Sequence, residues 1–394
     1  MAERSVVVLS GARTAIGSYG GSLKDIPPTQ LAATVAREAV KRAGVDPGHV
    51  GHVVFGNVIH TEPKDMYLSR VAALDAGFPT GSSALTVNRL CGSGFQAIVS
   101  AAQAILLGDT EIAVAGGAES MSRALYGNPS QRWGARMGAT ESFDMMLGAL
   151  TDPWDTVHMG ITGENVAAQY GISREEQDAF ALRSQQRAVS AIAAGHFKDQ
   201  IVPIELKTRK GTTVFDTDEH VRAETTLEAL GKLRPAFKEG GSVTAGNASG
   251  INDAAASIVL MDAEVAARDG RKPIAKLLAY GHSGVDPKVM GIGPVPAVKR
   301  ALERAGLSVA DIDVIESNEA FAAQACAVSK ELGFDPDKVN PNGGAIALGH
   351  PIGATGAILT IKAIAELHRT GGRYALVTMC IGGGQGIAGV FERA

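Results

Sequence analysis

The sequence predicts an α/β fold in which a layered core occurs twice, with a further region inserted into its first copy. Three observations carry this. Short β-rich runs alternate with amphipathic helical stretches towards both ends of the 394-residue chain, the pattern of sheets covered by helices. Segments late in the chain echo early ones in the same order. Ala43-Gly44-Val45 ahead of Val50-Gly51-His52-Val53-Val54 matches Ala305-Gly306-Leu307 ahead of Ile312-Asp313-Val314-Ile315 at an offset of 262 residues, and Ile112-Ala113-Val114-Ala115-Gly116-Gly117 matches Leu376-Val377-Thr378-Met379-Cys380-Ile381 at 264. Self-similarity at one period is the mark of a duplication. Glycine numbers 48 of 394, against ~7% in an average protein; such a chain packs backbones closely and turns tightly.

The elements follow in order. Residues 29–43 form a helix, with Leu31, Val35 and Ala39 at fourfold spacing and Gly44 as the C′ residue. A strand crosses Val53 and Val54. A β-like run ends near Val87, and an Ala-rich helix follows to about Leu107. Residues 121–250 hold both tryptophans, more charge and less regular periodicity, and read as an insertion. Within it, the polar and aromatic run 130–143 is either a contact surface or an ordinary surface loop. The second copy opens with a helix over residues 297–305 (Val298, Leu302, Ala305), then a strand over Val314 and Ile315. Residues 374–391 carry no charge over 18 positions, a membrane-helix length. Gly382, Gly383, Gly384, Gly386 and Gly389 make strand, turn and strand the better reading. The expected units are residues 1–120 with 251–271, an inserted loop domain at 121–250, and residues 272–394.

Lys plus Arg number 37 and Asp plus Glu 41, a net −4, which leaves no footprint for nucleic acid. Val6 to Leu9 is too short an apolar run for a signal-peptide core, and the chain ends Phe391-Glu392-Arg393-Ala394, without a peroxisomal tripeptide. Cys91, Cys326 and Cys380 are odd in number and form no C-x-x-C pair, which points to free thiols in a reducing, cytoplasmic setting with no membrane contact.

Four segments carry candidate chemistry. Cys91 lies in Asn88-Arg89-Leu90-Cys91-Gly92-Ser93-Gly94, a small-residue turn at the start of a helix. Helix N–H groups and dipole favour a thiolate and lower a thiol pKa of about 8.5. The segment fits both an activated nucleophile and a buried structural cysteine. His350 lies in a glycine-dense turn, Gly349-His350-Pro351-Ile352-Gly353-Ala354-Thr355-Gly356, with a helix from about Gly353. A lone His is commonly a surface or capping residue, but this setting suits a general base. No second His or carboxylate sits at metal-ligand spacing from it. Cys380 meets Ile381-Gly382-Gly383-Gly384, whose N–H groups would serve a developing oxyanion. A dinucleotide loop is excluded there, because no helix and ribose-binding acid fit in the eight residues after Gly386. Asn318-Glu319-Ala320-Phe321 follows a strand, where open α/β sheets place ligands; a helix cap at Asn318 is the plainer alternative.

These segments, with Gly246-Asn247-Ala248-Ser249-Gly250, resemble the thiolase family over essentially the whole chain. Gly51 to Val58 and Trp133-Gly134-Ala135-Arg136-Met137-Gly138 are most similar to the bacterial biosynthetic type, the acetyl-CoA acetyltransferases and β-ketothiolases of polyhydroxyalkanoate synthesis. Phe95 stands where Leu is usual and Ser317 where Ala is usual. The resemblance implies an α-β-α-β-α duplicated core and a reversible Claisen condensation of acetyl-CoA with acetyl-CoA or a short acyl-CoA. It implies Cys91 as the acylated nucleophile, His350 as its base, and Cys380 as the base for the α-carbon. The N–H groups of Cys91 and Gly382 would hold one oxyanion; His350 and a water on Asn318 would hold the other. CoA would lie along His158, Met159, Leu150, Phe237, Ala248, Ser249 and Phe321, with Arg222 towards the adenosine phosphates. Plain packing for Leu150, Phe237 and Phe321, and a solvated charge for Arg222, are the alternatives. Coenzyme A is substrate and product, and no metal or redox cofactor is implied. A homotetramer, a dimer of dimers, is implied, with the inserted region adding contacts; Cys326 reads as helix packing.

Rival readings are a degradative 3-ketoacyl-CoA thiolase of fatty-acid β-oxidation, which shares every catalytic residue, and a decarboxylating condensing enzyme, which lacks a base such as Cys380. A non-catalytic acyl-CoA-binding protein has no need of two reactive thiols.

Overall fold

The computed structural model describes residues 4–208 and 211–394. The first core half contains strands β1 (Val6–Arg13), β2 (His52–Gly56), β3 (Ser83–Val87), β4 (Ile112–Ser120) and β5 (Asn252–Asp262), with helices α1 (Pro28–Ala43), α2 (Leu68–Asp75) and α3 (Ser93–Leu107). The second contains β6 (Ala275–Gly284), β7 (Val314–Ser317), β8 (Tyr374–Ile381) and β9 (Gln385–Arg393), with α4 (Pro294–Ala305), α5 (Ala322–Leu332) and α6 (Thr355–Thr370).

The strand order is β7-β8-β9-β6-β1-β5-β4-β2-β3. Within it the two halves repeat one topology. β2 and β4 are parallel, and β4, β5 and β1 continue antiparallel. β7 and β8 are parallel, and β8, β9 and β6 continue antiparallel. β3 adds an outer parallel strand to the first half. Three residue pairs, Val6–Leu277 to Val8–Ala275, join the halves.

Every echo in the sequence falls on a structural counterpart. α1 and α4 end on Gly44 and Gly306 at φ 63° and 67°, left-handed positions where a side chain would be strained. β2 answers β7, and β4 answers β8. α1 and α2 cover one sheet, α4 covers the other with α5 packed beside it, and α3 and α6 pack together between them. Five layers result. Both faces of β4 and β5 are therefore covered and every residue in them is buried, which is why they read as apolar runs without alternation. α6 is buried almost all round for the same reason; its Lys362 is held by Glu316 at 2.7 Å and the Gly343 carbonyl at 2.8 Å.

α4 starts at Pro294, three residues before the periodicity suggests. Pro294 and Pro296 look like breakers in sequence, but the first helical turn has no N–H bond to lose. The segment 374–391 is two antiparallel strands, as its glycines require.

Between β4 and β5 the chain carries the helices Met159–Tyr170 and Arg174–Ala193 and the hairpin Ile204–Thr208 with Gly211–Phe215. It is pinned to β1 by a fully buried bidentate pair, Arg13 to Asp218 at 2.8 and 2.9 Å. The run 130–143 lies on the surface, with Trp133 87% and Met137 96% exposed.

Candidate active site

Two loops converge, one from each half. Each precedes a central helix, and the starts of α3 and α6, Ser93 and Thr355, are again 262 residues apart. The helices meet where neither backbone has a side chain in the way. A Cβ on Gly94 would lie 3.0 Å from the Ala357 nitrogen, and one on Gly356 2.3 Å from the Phe95 nitrogen.

The nucleophile turn is tightly determined. Leu90 has φ 45°, a left-handed conformation costly for a branched side chain, of order 1–3 kcal/mol. Asn88 Oδ1 accepts its N–H at 2.9 Å, and Ser93 Oγ donates to its carbonyl at 2.7 Å while accepting from Arg89 N–H at 2.8 Å. The next residue is Cys91, whose sulfur receives the N–H groups of Gly382 and of Cys91 itself.

Here one expectation fails. A helix start was expected to favour the thiolate, yet the Cys91 pKa is pushed up to about 11. Burial is the largest cause; the two N–H groups oppose it, and the nearby Glu119 charge adds to it. Removing water from a thiolate outweighs the dipole of a helix that begins two residues later. At rest Cys91 is a thiol, and to attack anything it would need a base.

The opposed turn holds an imidazole. Burial lowers the His350 pKa to about 4, so the ring is neutral at pH 7. Nδ1 lies 2.7 Å from Thr355 Oγ1, which lies 3.0 Å from the Pro351 carbonyl; on the other side Asn318 Nδ2 is 3.4 Å from Nε2. A threonine hydroxyl both donates and accepts. Turned to Pro351, it accepts Nδ1–H and leaves a lone pair on Nε2; turned to Nδ1, it supports Nε2–H. The His350 N–H is held by Asn252 Oδ1 at 2.9 Å.

Cys380 is fully buried at the end of β8, and both burial and the neighbouring Cys91 push its pKa above the ordinary thiol range. Asn318 is not a helix cap, because α5 begins four residues later at Ala322. Its N–H is held by the Thr378 carbonyl at 3.0 Å and its carbonyl by Gln324 at 3.2 Å, and its Oδ1 is buried with no partner among the described residues.

Seven of the residues assigned to CoA form one wall. The His158 ring stacks on Phe237 at 4.6 Å, and Phe237 meets Phe321 edge-on at 6.1 Å. Ala248 pairs with Phe321, Ser249 N–H donates to the Ala320 carbonyl at 2.9 Å, and Met159 N–H to that of Leu150 at 2.8 Å. The wall ends at the reacting groups, since a Cβ on Gly382 would lie 3.0 Å from Met159 Cε. Arg222 stands apart, on a cavity of ≈ 260 Å³ with His220, Thr225, Leu233 and Gly246. Cys326 is buried beneath a second cavity, of ≈ 700 Å³, which contains none of these groups; burial pushes its thiol up to about 12.

Four polar residues that matter here escaped the sequence reading. Thr355, Asn252, Asn57 and Glu119 carry no local signature. Only Glu119 gave a hint, as the one charged residue of an otherwise uncharged strand.

A duplicated five-layer α/β core thus carries a thiol and an imidazole on opposed loops and a second thiol near the first. Comparison with known proteins identifies the family. Residues 6–264 match the family model for the thiolase N-terminal domain and residues 271–393 that for the thiolase C-terminal domain. The chain is 68% identical over 391 residues, 99% of each protein, to Beta-ketothiolase BktB of Cupriavidus necator. The crystal structure of the Bacillus anthracis acetyl-CoA acetyltransferase superposes with a TM-score of 0.97 at 48% identity, covering 100% of this chain and 99% of that one. That of human mitochondrial 3-ketoacyl-CoA thiolase in complex with CoA superposes at 0.96 and 45% identity, covering 99% and 98%. The chain belongs to the thiolase family, and it is an acyltransferase.

Proposed function

We propose that this thiolase is a β-ketothiolase joining acetyl-CoA to acetyl-CoA or a short acyl-CoA, and that Cys91, His350, Cys380, Asn318 and Gly382 carry the reaction. One observation carries the assignment: a neutral His350, oriented by Thr355, sits on the loop opposed to the Cys91 turn, and Cys91 and Cys380 are both kept protonated chiefly by loss of water. His350 Nε2 takes the Cys91 proton, and Cys91 sulfur attacks the thioester carbonyl. The oxyanion is held by the N–H groups of Cys91 and Gly382. CoA leaves as its thiolate and takes the Cys380 proton, so acetyl-Cys91 stands beside imidazolium and a Cys380 thiolate. Burial disfavours either ion alone, and each offsets the other. The Cys380 thiolate then removes the α-proton of a second acetyl-CoA. The enolate oxygen is held by His350 Nε2–H and a water on the unpaired Asn318 Oδ1. The enolate carbon attacks acetyl-Cys91, and Cys91 leaves and recovers its proton from His350. Every proton move is made by a side chain, so the scheme asks for no metal or redox cofactor.

The aromatic wall from His158 to Phe321 is read as the pantetheine channel, with Ala248 and Ser249 offering backbone contacts and Arg222 facing the nucleotide phosphates. The small residues Gly349, Gly353 and Ala354 beside His350 and Gly382 to Gly384 beside Cys380 support a broad short-chain range. Kinetic comparison of acetoacetyl-CoA and 3-ketopentanoyl-CoA under one condition tests it: kcat/KM values within ~10³-fold are expected, because one methylene in an apolar pocket is worth only ~1–3 kcal/mol. A stronger preference rejects the broad pocket. Activity confined to long 3-ketoacyl-CoAs establishes the degradative reading instead.

A homotetramer fits the exposed features. β3 is an outer strand with Leu85 exposed, and the run 130–143 presents Trp133 and Met137. Unpaired edges and apolar surface of this kind are normally covered. Sedimentation at micromolar concentration should give about four times the 40.6 kDa chain mass; a stable monomer contradicts the proposal. The three free cysteines accord with a cytoplasmic, reducing setting. Residues 121–250 are assigned as the loop domain that both functions share.

A further inference from the structure

Glu119 ends β4, fully buried, and no step above uses it. Its carboxylate accepts from four N–H donors: the backbone of Val58 at 3.1 Å, Ile59 at 3.1 Å and Gly353 at 2.9 Å, and Asn57 Nδ2 at 3.2 Å. Burial is the largest cause raising its pKa to about 8, Asp65 adds to it, and the N–H groups of Ile59, Val58 and Gly353 pull the other way. The geometry of the donors bears on the same question. A protonated carboxyl must turn its O–H towards one of four donors, whereas the ionised group only accepts. The donor set therefore decides for the carboxylate.

What Glu119 joins is specific. Gly353 is three residues beyond His350. The Val58 carbonyl accepts from Asn88 Nδ2 at 3.4 Å, and Asn88 Oδ1 holds the N–H of Leu90, next to Cys91. The Gly353 carbonyl packs where a Cβ on Gly56, Gly94 or Gly117 would lie 2.8, 2.9 or 2.0 Å away. The base loop thus rests on bare backbone on one side and on Glu119 on the other. The Glu119 charge also opposes a thiolate at Cys91, after burial, and Cys91 in turn opposes one at Cys380.

We propose that Glu119 is a positioning residue: its ionised carboxylate clamps the His350 loop to the nucleophile turn and holds Cys91 as a thiol until His350 takes the proton. This rests on the reading of Cys91 and His350 given above. The test uses the full-length enzyme. Glu119→Gln turns an NH₂ group towards N–H donors and removes the charge. Expected is a fall in kcat for acetoacetyl-CoA thiolysis of about 10²-fold, the cost of roughly 1 Å of misplacement. KM should stay within about twofold, since Glu119 touches none of the CoA wall. Alkylation of Cys91 by iodoacetamide, in which a sulfur–carbon bond forms as iodide leaves, should have its pH midpoint lowered. A residue that only stabilises the fold would lower the melting temperature and leave that midpoint alone. Glu119→Asp keeps the charge but is too short to reach all four donors, so kcat should fall while the midpoint stays. If Glu119→Gln does not fold, the fall in kcat of Glu119→Asp at unchanged KM supports the clamp. Wild-type kcat in either variant, or an unmoved midpoint in a folded Glu119→Gln, overturns the proposal. Peptide mapping that finds the wild-type label on a cysteine other than Cys91 removes the underlying reading instead.

Discussion

Cys380→Ser is expected to stop condensation while leaving acetyl transfer to Cys91 intact. Incubated with acetyl-CoA, the variant should gain one acetyl group, about 42 Da, on Cys91, because that step needs only Cys91, His350 and the N–H pair. The CoA thiolate is a good leaving group and can take its proton from water once it is released, so its departure does not require the Cys380 proton. Carbon–carbon bond formation has no such freedom. The α-proton must go to a base, and a serine hydroxyl gives up its own proton far less readily than a thiol. Loss of a positioned base costs ~10²–10⁴-fold, and the upper part of that range is expected, since Cys380 is fully buried and water has no easy route to replace it. Condensation near the wild-type rate would transfer the role of base to another group.

His350→Asn should fail earlier. Cys91 is a thiol of pKa about 11, and burial is the main reason. Without the imidazole its ionised fraction at pH 7 is minute, so the 42 Da adduct that persists in Cys380→Ser should form ~10²–10⁴-fold more slowly here. The wild-type pH profile carries a matching signature. Burial lowers His350 to about 4. A lowered pKa keeps the basic form present to lower pH, so the acid limb of kcat/KM should fall as pH drops through about 4, not through the ordinary histidine value near 6.5. A limb at 6.5 would mean that His350 is solvated in the free enzyme.

The layered fold was legible because it rests on repetition and on glycine. Gly44 and Gly306 end equivalent helices, and the β2, β7, β4 and β8 echoes stand in equivalent strands. Cys91, His350 and Cys380 were legible because each sits in a conspicuously glycine-rich turn, whereas Asn318 has no such mark. What stayed hidden depends on the sum of long-range contacts. The protonation of Cys91 was misjudged because a local rule about helix starts meets burial that residues near positions 119 and 382 create. Thr355 and Glu119 act through partners that are near in space and not in sequence: Thr355 through a ring five positions back, Glu119 through a glycine 234 positions on. The start of α4 was misread because prolines look alike inside and at the beginning of a helix.

The crossing of α3 and α6 at Gly94 and Gly356 has a consequence for ancestry. The Cys91 and His350 loops occupy matching places in two copies of one unit, so a simple homodimer of that unit would oppose like with like, thiol to thiol or imidazole to imidazole. Opposed unlike groups require the copies to be free to differ. Fusion into one chain is what permits it: one copy can then keep a carboxylate strut at the end of its β4 strand while the other keeps a reactive thiol at the end of β8. The asymmetry of the chemistry is inherited from the covalent link, and separating the halves into two identical subunits would erase it.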